Sequence, residues 1–144
     1  MIRHVAGIAE IVDDVDTAVG FYRDVLGLTV KQEAADYAVV EIPGVLHFGI
    51  WLRSHAARIV FKDPAAAPRI PLGFTVGFEV DSVDEATPAL TRGDGALVQP
   101  AQDEPWGQRT LRFWSMSGAL CELSETPSAR RLAHNVQAES PPTR

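Results

Sequence analysis

The chain has 144 residues, 46% hydrophobic and 22% charged, with a formal net charge of −6, a size and composition that suit one globular domain with its own core. The acidic balance argues against a nucleic-acid partner, because phosphate binding needs concentrated Lys and Arg, and no apolar run approaches the roughly 18 residues of a membrane span. The single Cys121 excludes an intramolecular disulfide, and the start Met1-Ile2-Arg3-His4 lacks a basic-then-apolar leader, so the expected location is the cytoplasm.

Residues 5–12 alternate loosely and end in an acidic cluster, the pattern of a strand. Asp16 or Thr17 then offers a side-chain oxygen to the free N–H groups of a helix with apolar positions Ala18, Phe21, Tyr22, Val25 and Leu26, and Gly27 supplies the stop. Strands are predicted at 28–33, 37–42 and 45–52, with Pro43-Gly44 turning the chain between the last two. Residues 54–72 hold Pro64, Pro68 and Pro71 among alanines and basic residues, and read as a linker with an extended piece at Ile59–Phe61. A strand at 74–80 and a helix at 84–92 follow, the helix short or bent because Pro88 removes a backbone donor. Strands near 96–99, 108–114 and 119–124 complete the series. The tail 126–144 reads as loosely ordered, with a helical turn or two at Ala129–Val136.

The order repeats. Gly7-Ile8-Ala9-Glu10-Ile11-Val12-Asp13-Asp14-Val15-Asp16 and Thr75-Val76-Gly77-Phe78-Glu79-Val80-Asp81-Ser82-Val83-Asp84 each run from strand to helix start. Two copies at this spacing indicate duplication of one supersecondary unit. Module one covers about 3–53 and module two about 73–125 of a single domain spanning 1–125.

Phe21-Tyr22-Arg23-Asp24-Val25-Leu26-Gly27-Leu28, the second-module run Gly77–Asp84, Pro105-Trp106-Gly107 and Gly118-Ala119-Leu120-Cys121-Glu122-Leu123 resemble the vicinal oxygen chelate superfamily. That group includes glyoxalases, bleomycin-resistance proteins, epimerases and extradiol dioxygenases. The resemblance implies an α+β fold in which two βαβββ modules form an incompletely closed, eight-stranded, barrel-like sheet around a cavity. It also implies four metal-ligand positions, one on the first and one on the last strand of each module. Here they fall on Gly7, Gly49, Thr75 and Glu122. Glycine offers no side chain and threonine is a poor ligand, so no metal is expected unless a non-standard site exists. His4 reaches the site only if a bulge turns it to the Gly7 face.

Strand alternation gives His47, Trp51, Thr75, Glu79 and Glu122 as expected ligand-binding residues, with Arg112 and Trp114 from the strand before the last, and the resemblance adds Trp106, where family members carry a loop over the pocket mouth. Flat aromatic ligands suit such a lining, and Glu79 and Glu122 favour cationic or hydrogen-bond-donating ones. Each residue also has a plainer role: tryptophans fill cores, His47 is a structural histidine, and Glu122 partners Arg112 or Arg109. Three functions remain open. The leading one is a small-molecule-binding homodimer of the bleomycin-resistance kind, sequestering a drug-like or aromatic natural product. The alternative is a superfamily enzyme (glyoxalase or lyase, epimerase, ring-cleaving dioxygenase), with Glu122 and His47 as candidate catalytic residues or His47, Glu79 and Glu122 holding a relocated metal. The third is an assembly module with a vestigial pocket.

Overall fold

The computed structural model describes residues 1–92 and 96–126. The first strand, β1 (Ile2–Val12), ends at an acidic pair from which Asp14, in extended backbone, accepts from the Thr17 amide at 3.0 Å and hydroxyl at 2.8 Å. Asp14 therefore caps α1 (Val15–Gly20), rather than Asp16 or Thr17, because an N-cap accepts from the amide two or three residues further on. The helix widens into a π-type turn over Phe21–Val25, and Gly27, at φ 70°, ends it.

Strands β2 (Thr29–Ala34), β3 (Tyr37–Glu41) and β4 (Phe48–Leu52) complete module one. Since β4 begins at Phe48, His47 belongs to the loop before it. Module two repeats the order with β5 (Gly73–Val80), α3 (Val83–Thr91), β6 (Leu97–Asp103), β7 (Arg109–Trp114) and β8 (Leu120–Glu125). Ser82 caps α3 at the position equivalent to Asp14, accepting from the Glu85 amide at 3.1 Å. Pro88 lies inside α3, which stays short at nine residues.

All eight strands form one sheet in the order β2-β3-β4-β1-β5-β8-β7-β6, not closed into a barrel. The modules meet where β1 and β5 pair antiparallel, Gly7 opposite Gly77 and Ala9 opposite Thr75. One face carries α1 with its π-type turn, packed through Val15, Val19 and Tyr22 onto Ala38, Val40 and Ile50, and α3, packed through Val83 and Ala86 onto Val80, Leu111 and Leu123. Glu10 points to this face, where its carboxylate accepts from the Tyr22 hydroxyl at 2.6 Å.

The segment between the modules departs from expectation. It forms α2 (Arg53–Phe61) and a 3-10 turn (Pro64–Arg69), so Ile59–Phe61 is helical, not extended. Ala56, Ala57 and Val60 recur at helical spacing and are buried against Ile11, Ile70 and Leu120, with Trp51 and Trp114 alongside. Burial of that stripe overrides the linker-like composition. Ile11 shares strand parity with Gly7, opposite to Glu10, so α2 covers one end of the other face of the sheet. The turn expected at Ala129–Val136 lies outside the described residues. Among the described residues, no helix is long and apolar enough to cross a membrane.

Candidate functional site

Cross-strand register assembles the face opposite α1 and α3 row by row. One row runs Arg112, Glu122, Gly77 and Gly7 across β7, β8, β5 and β1. The next runs Thr110, Ser124, Glu79 and His4. His4 joins it because the β1–β5 register shifts between Val5 and Gly7, a bulge that turns His4 to the Gly7 side. Its Nε2 is buried without a hydrogen-bond partner.

Side chains of neighbours fill two of the positions that resemblance assigned to metal ligands. A Cβ on Gly7 would meet the His47 carbonyl oxygen at 3.2 Å and the His47 Cβ at 3.3 Å. A Cβ on Gly49 would collide with the Tyr37 ring, whose Cε2 lies 3.2 Å from that point. Tyr37 and His47 stack with ring centroids 5.9 Å apart and 10° between planes, and the Tyr37 hydroxyl is hydrogen-bonded to His47 Nε2. Burial pushes the Tyr37 pKa well up, with the charge of Glu122 adding to it, so the phenol keeps its proton and donates to Nε2 in the tautomer whose proton sits on Nδ1. Partial dehydration of the His47 ring lowers its pKa, favouring the neutral form that can accept.

The fourth position, Glu122, belongs to an ion network. Its Oε2 lies 2.8 Å from Arg112 Nη2, while Arg112 Nη1 donates to Glu104 Oε1 at 2.9 Å and also bonds Gln99. The Arg112 side chain is 2% exposed and its guanidinium carbon stands 5.6 Å from the centre of the Trp51 ring. Trp51 in turn donates from Nε1 to His55 Nδ1 of α2 at 2.7 Å. Burial raises the Glu122 pKa, with Arg112 opposing and Glu104 adding. Burial also acts to raise Glu104, but hydrogen bonds from Gln102, Arg112 and Thr110 hold it below its ordinary value.

The remaining candidates scatter. Glu79 is buried one row away, accepting from Ser124 Oγ at 3.2 Å and the Thr126 amide at 2.6 Å. Thr75 lines a small groove of about 130 Å³ with Phe74 and Leu120. Trp114 packs in the cluster under α2, and Trp106 is exposed on a turn, donating to Gln108 Oε1 at 2.5 Å. Arg109 pairs with Asp84 and Asp103, not with Glu122. His47 also lines an open groove of about 450 Å³ with Thr29, Val39, Ile42 and Leu46. Sequence reasoning missed Tyr37, Gln99 and Glu104; the parity of Tyr37 with Trp51 across β3 and β4 was the available signal for the first.

These donors do not fit a chelated divalent ion. Two of the four positions lack side chains, and the remaining carboxylate spends one oxygen on Arg112. Among the described residues, no group of three His, Cys, Asp or Glu side chains is placed to hold a metal.

Paired βαβββ modules about a β1–β5 seam define a fold of the vicinal oxygen chelate class. The sequence profile of the glyoxalase-like domain matches residues 5–128, and the chain belongs to that family. Solved structures similar to it include a glyoxalase/bleomycin resistance protein/dioxygenase superfamily member from Vibrio splendidus 12B01, at 15% identity and TM-score 0.60, covering 87% of this chain and 99% of that one. Methylmalonyl-CoA epimerase from Mycobacterium tuberculosis aligns at 20% identity and TM-score 0.61, over 92% and 93% of the two chains. A methylmalonyl-CoA epimerase in complex with methylmalonyl-CoA and NH4+ aligns at 16% identity and TM-score 0.63, over 90% and 98%. Among curated proteins, no sequence matches the chain.

Proposed function

We propose that this protein binds a small organic molecule on the face shared by Gly7, Gly77, Glu122 and His47, without a chelated metal, in the manner of a sequestering bleomycin-resistance-like protein. The replacement of two metal-ligand positions by the Tyr37–His47 pair carries this reading. The ligand then meets neutral aromatic surface on one side and a buried ion network on the other. Such a mixture of apolar walls and a few fixed polar groups is what small-molecule sites use for orientation and specificity. The superposable epimerase described with methylmalonyl-CoA supports the use of this fold for a small ligand.

The enzyme alternative has one favouring observation: burial raises the pKa of Glu122 above the ordinary carboxylate value, the direction a general acid requires. Ligand sequestration is preferred because the acid–base partner expected for Glu122, His47, is already engaged by Tyr37. The test is a screen of aromatic natural products by tryptophan fluorescence and thermal shift, paired with elemental analysis of untagged protein. Compounds that quench Trp51 emission and raise Tm without being consumed are the expected outcome. A stoichiometric divalent ion held through purification, with turnover abolished by chelation, would overturn it.

A further inference from the structure

The three glycines on the ligand face differ in why they are glycine. Gly7 is crowded by His47 and Gly49 by Tyr37, so each makes room for a side chain of this protein. Gly77 has no such neighbour. The nearest atoms to a Cβ built there are Glu122 Cβ and the Gly7 carbonyl oxygen at 3.8 Å, and Glu122 Oε1 at 3.9 Å, all ordinary contacts. Nor does Gly77 have the positive φ that reserves a position for glycine. What its missing side chain leaves is partly exposed space beside Glu122.

Glu122 is half used. Its Oε2 takes Arg112 Nη2, whereas among the described residues no hydrogen bond reaches Oε1, which stands over Gly77. Charge in the network does not balance: the buried guanidinium of Arg112 is shared by two carboxylates, Glu104 and Glu122. Arg112 Nη1 is committed to Glu104 and Gln99 and Nη2 to Glu122 Oε2, while its buried Nε has no partner among the described residues and none of its donors is recorded on Glu122 Oε1. The Glu122 side chain is 24% exposed, against 3% for Glu104, so the excess negative charge meets solvent at Glu122.

Resting on the binding function proposed above, we infer that the ligand is a small organic monocation with a flat apolar body, its protonated amine or amidine seated over Gly77 and donating to Glu122 Oε1. The apolar body extends across Gly7 toward the stacked Tyr37 and His47 rings. A cation there completes the charge balance of Arg112, Glu104 and Glu122, and a charge-assisted hydrogen bond replaces the unused acceptor. An anion is disfavoured by the same excess charge.

Benzamidine, benzamide and benzoate serve as matched probes that differ in charge but little in shape, titrated calorimetrically into the full chain and into Glu122→Gln and Gly77→Val. In the wild type, benzamidine is expected to bind about tenfold or more tightly than benzamide, the difference a charge-assisted hydrogen bond supplies, with benzoate weakest. Glu122→Gln is expected to erase the preference for benzamidine over benzamide, and Gly77→Val to abolish binding of both by filling the seat. Gly77→Val keeps every charged group of the ion network, so it remains informative if Glu122→Gln fails to fold. Equal binding of benzamidine and benzamide, a preference that survives Glu122→Gln, or binding unaffected by Gly77→Val would each overturn the inference. If no probe binds while an aromatic natural product still quenches Trp51, the cation assignment falls and the binding function stands. If nothing binds in either experiment, both fall.

Discussion

Gly49 shows how a single position reports on the whole face. Its backbone is unremarkable in φ, yet the Tyr37 ring occupies the space a Cβ needs. Gly49→Ala should force the phenol away, break its bond to His47 and cost about 1–3 kcal/mol, as overpacking of a fitted site does. A shift of the urea midpoint at unchanged slope checks this, and wild-type stability would count against Tyr37 as the filler of that corner. That Gly7 and Gly49 bring no side chain to their corners was legible from sequence. What fills the corners was not. The Tyr37 hydroxyl reaches Gly49 diagonally from an adjacent strand, and His47 reaches Gly7 from a loop, relations that only tertiary register fixes. Glu10 illustrates the converse. Strand alternation turns this carboxylate toward the helix face, an unpromising place for a charge, and only the fold supplies its partner, the Tyr22 hydroxyl.

At the scale of elements, the duplicated strands and helices could be read because their signals are local: caps, alternation and a glycine stop. The α2 segment was misread because proline and alanine content dominated the impression, whereas its helical stripe gains meaning only when a partner surface exists. Ala56 and Ala57 are both fully buried, so α2 sits on the sheet at a distance set by methyl groups. Ala57→Leu is therefore expected to destabilise the fold by about 1–3 kcal/mol through overpacking, although leucine is a good helix former. Chemical denaturation separates the outcomes: a neutral or stabilising effect would show that α2 is loosely seated.

For the molecule as a whole, acid sensitivity follows from two histidines on one side of the sheet. Burial lowers the pKa of His47, with Glu33 opposing, and that of His55, with Asp36 opposing and Arg58 adding. A histidine whose pKa is depressed on folding binds fewer protons in the native state than in the unfolded chain. Stability is then fully present above the ordinary histidine value of 6.5 and is lost as pH falls below it toward the depressed values. Glu122 has the opposite sign: its raised pKa lets the folded state hold a proton longer, adding stability on acidification through the window above the usual carboxylate value of 4.5. The thermal midpoint should accordingly fall between pH 7 and pH 5.5, and His47→Asn with His55→Gln should flatten that dependence. A slope unchanged by the double substitution would assign it to other groups. The position of α2 has one more outcome. Because the connector is itself part of the packed interior, two copies of this chain cannot trade halves by simply opening a hinge. An exchanged dimer would first have to pull Ala56, Ala57, Val60 and Ile70 out of their seat, so the very segment that joins the repeats also acts as a lock against swapping them.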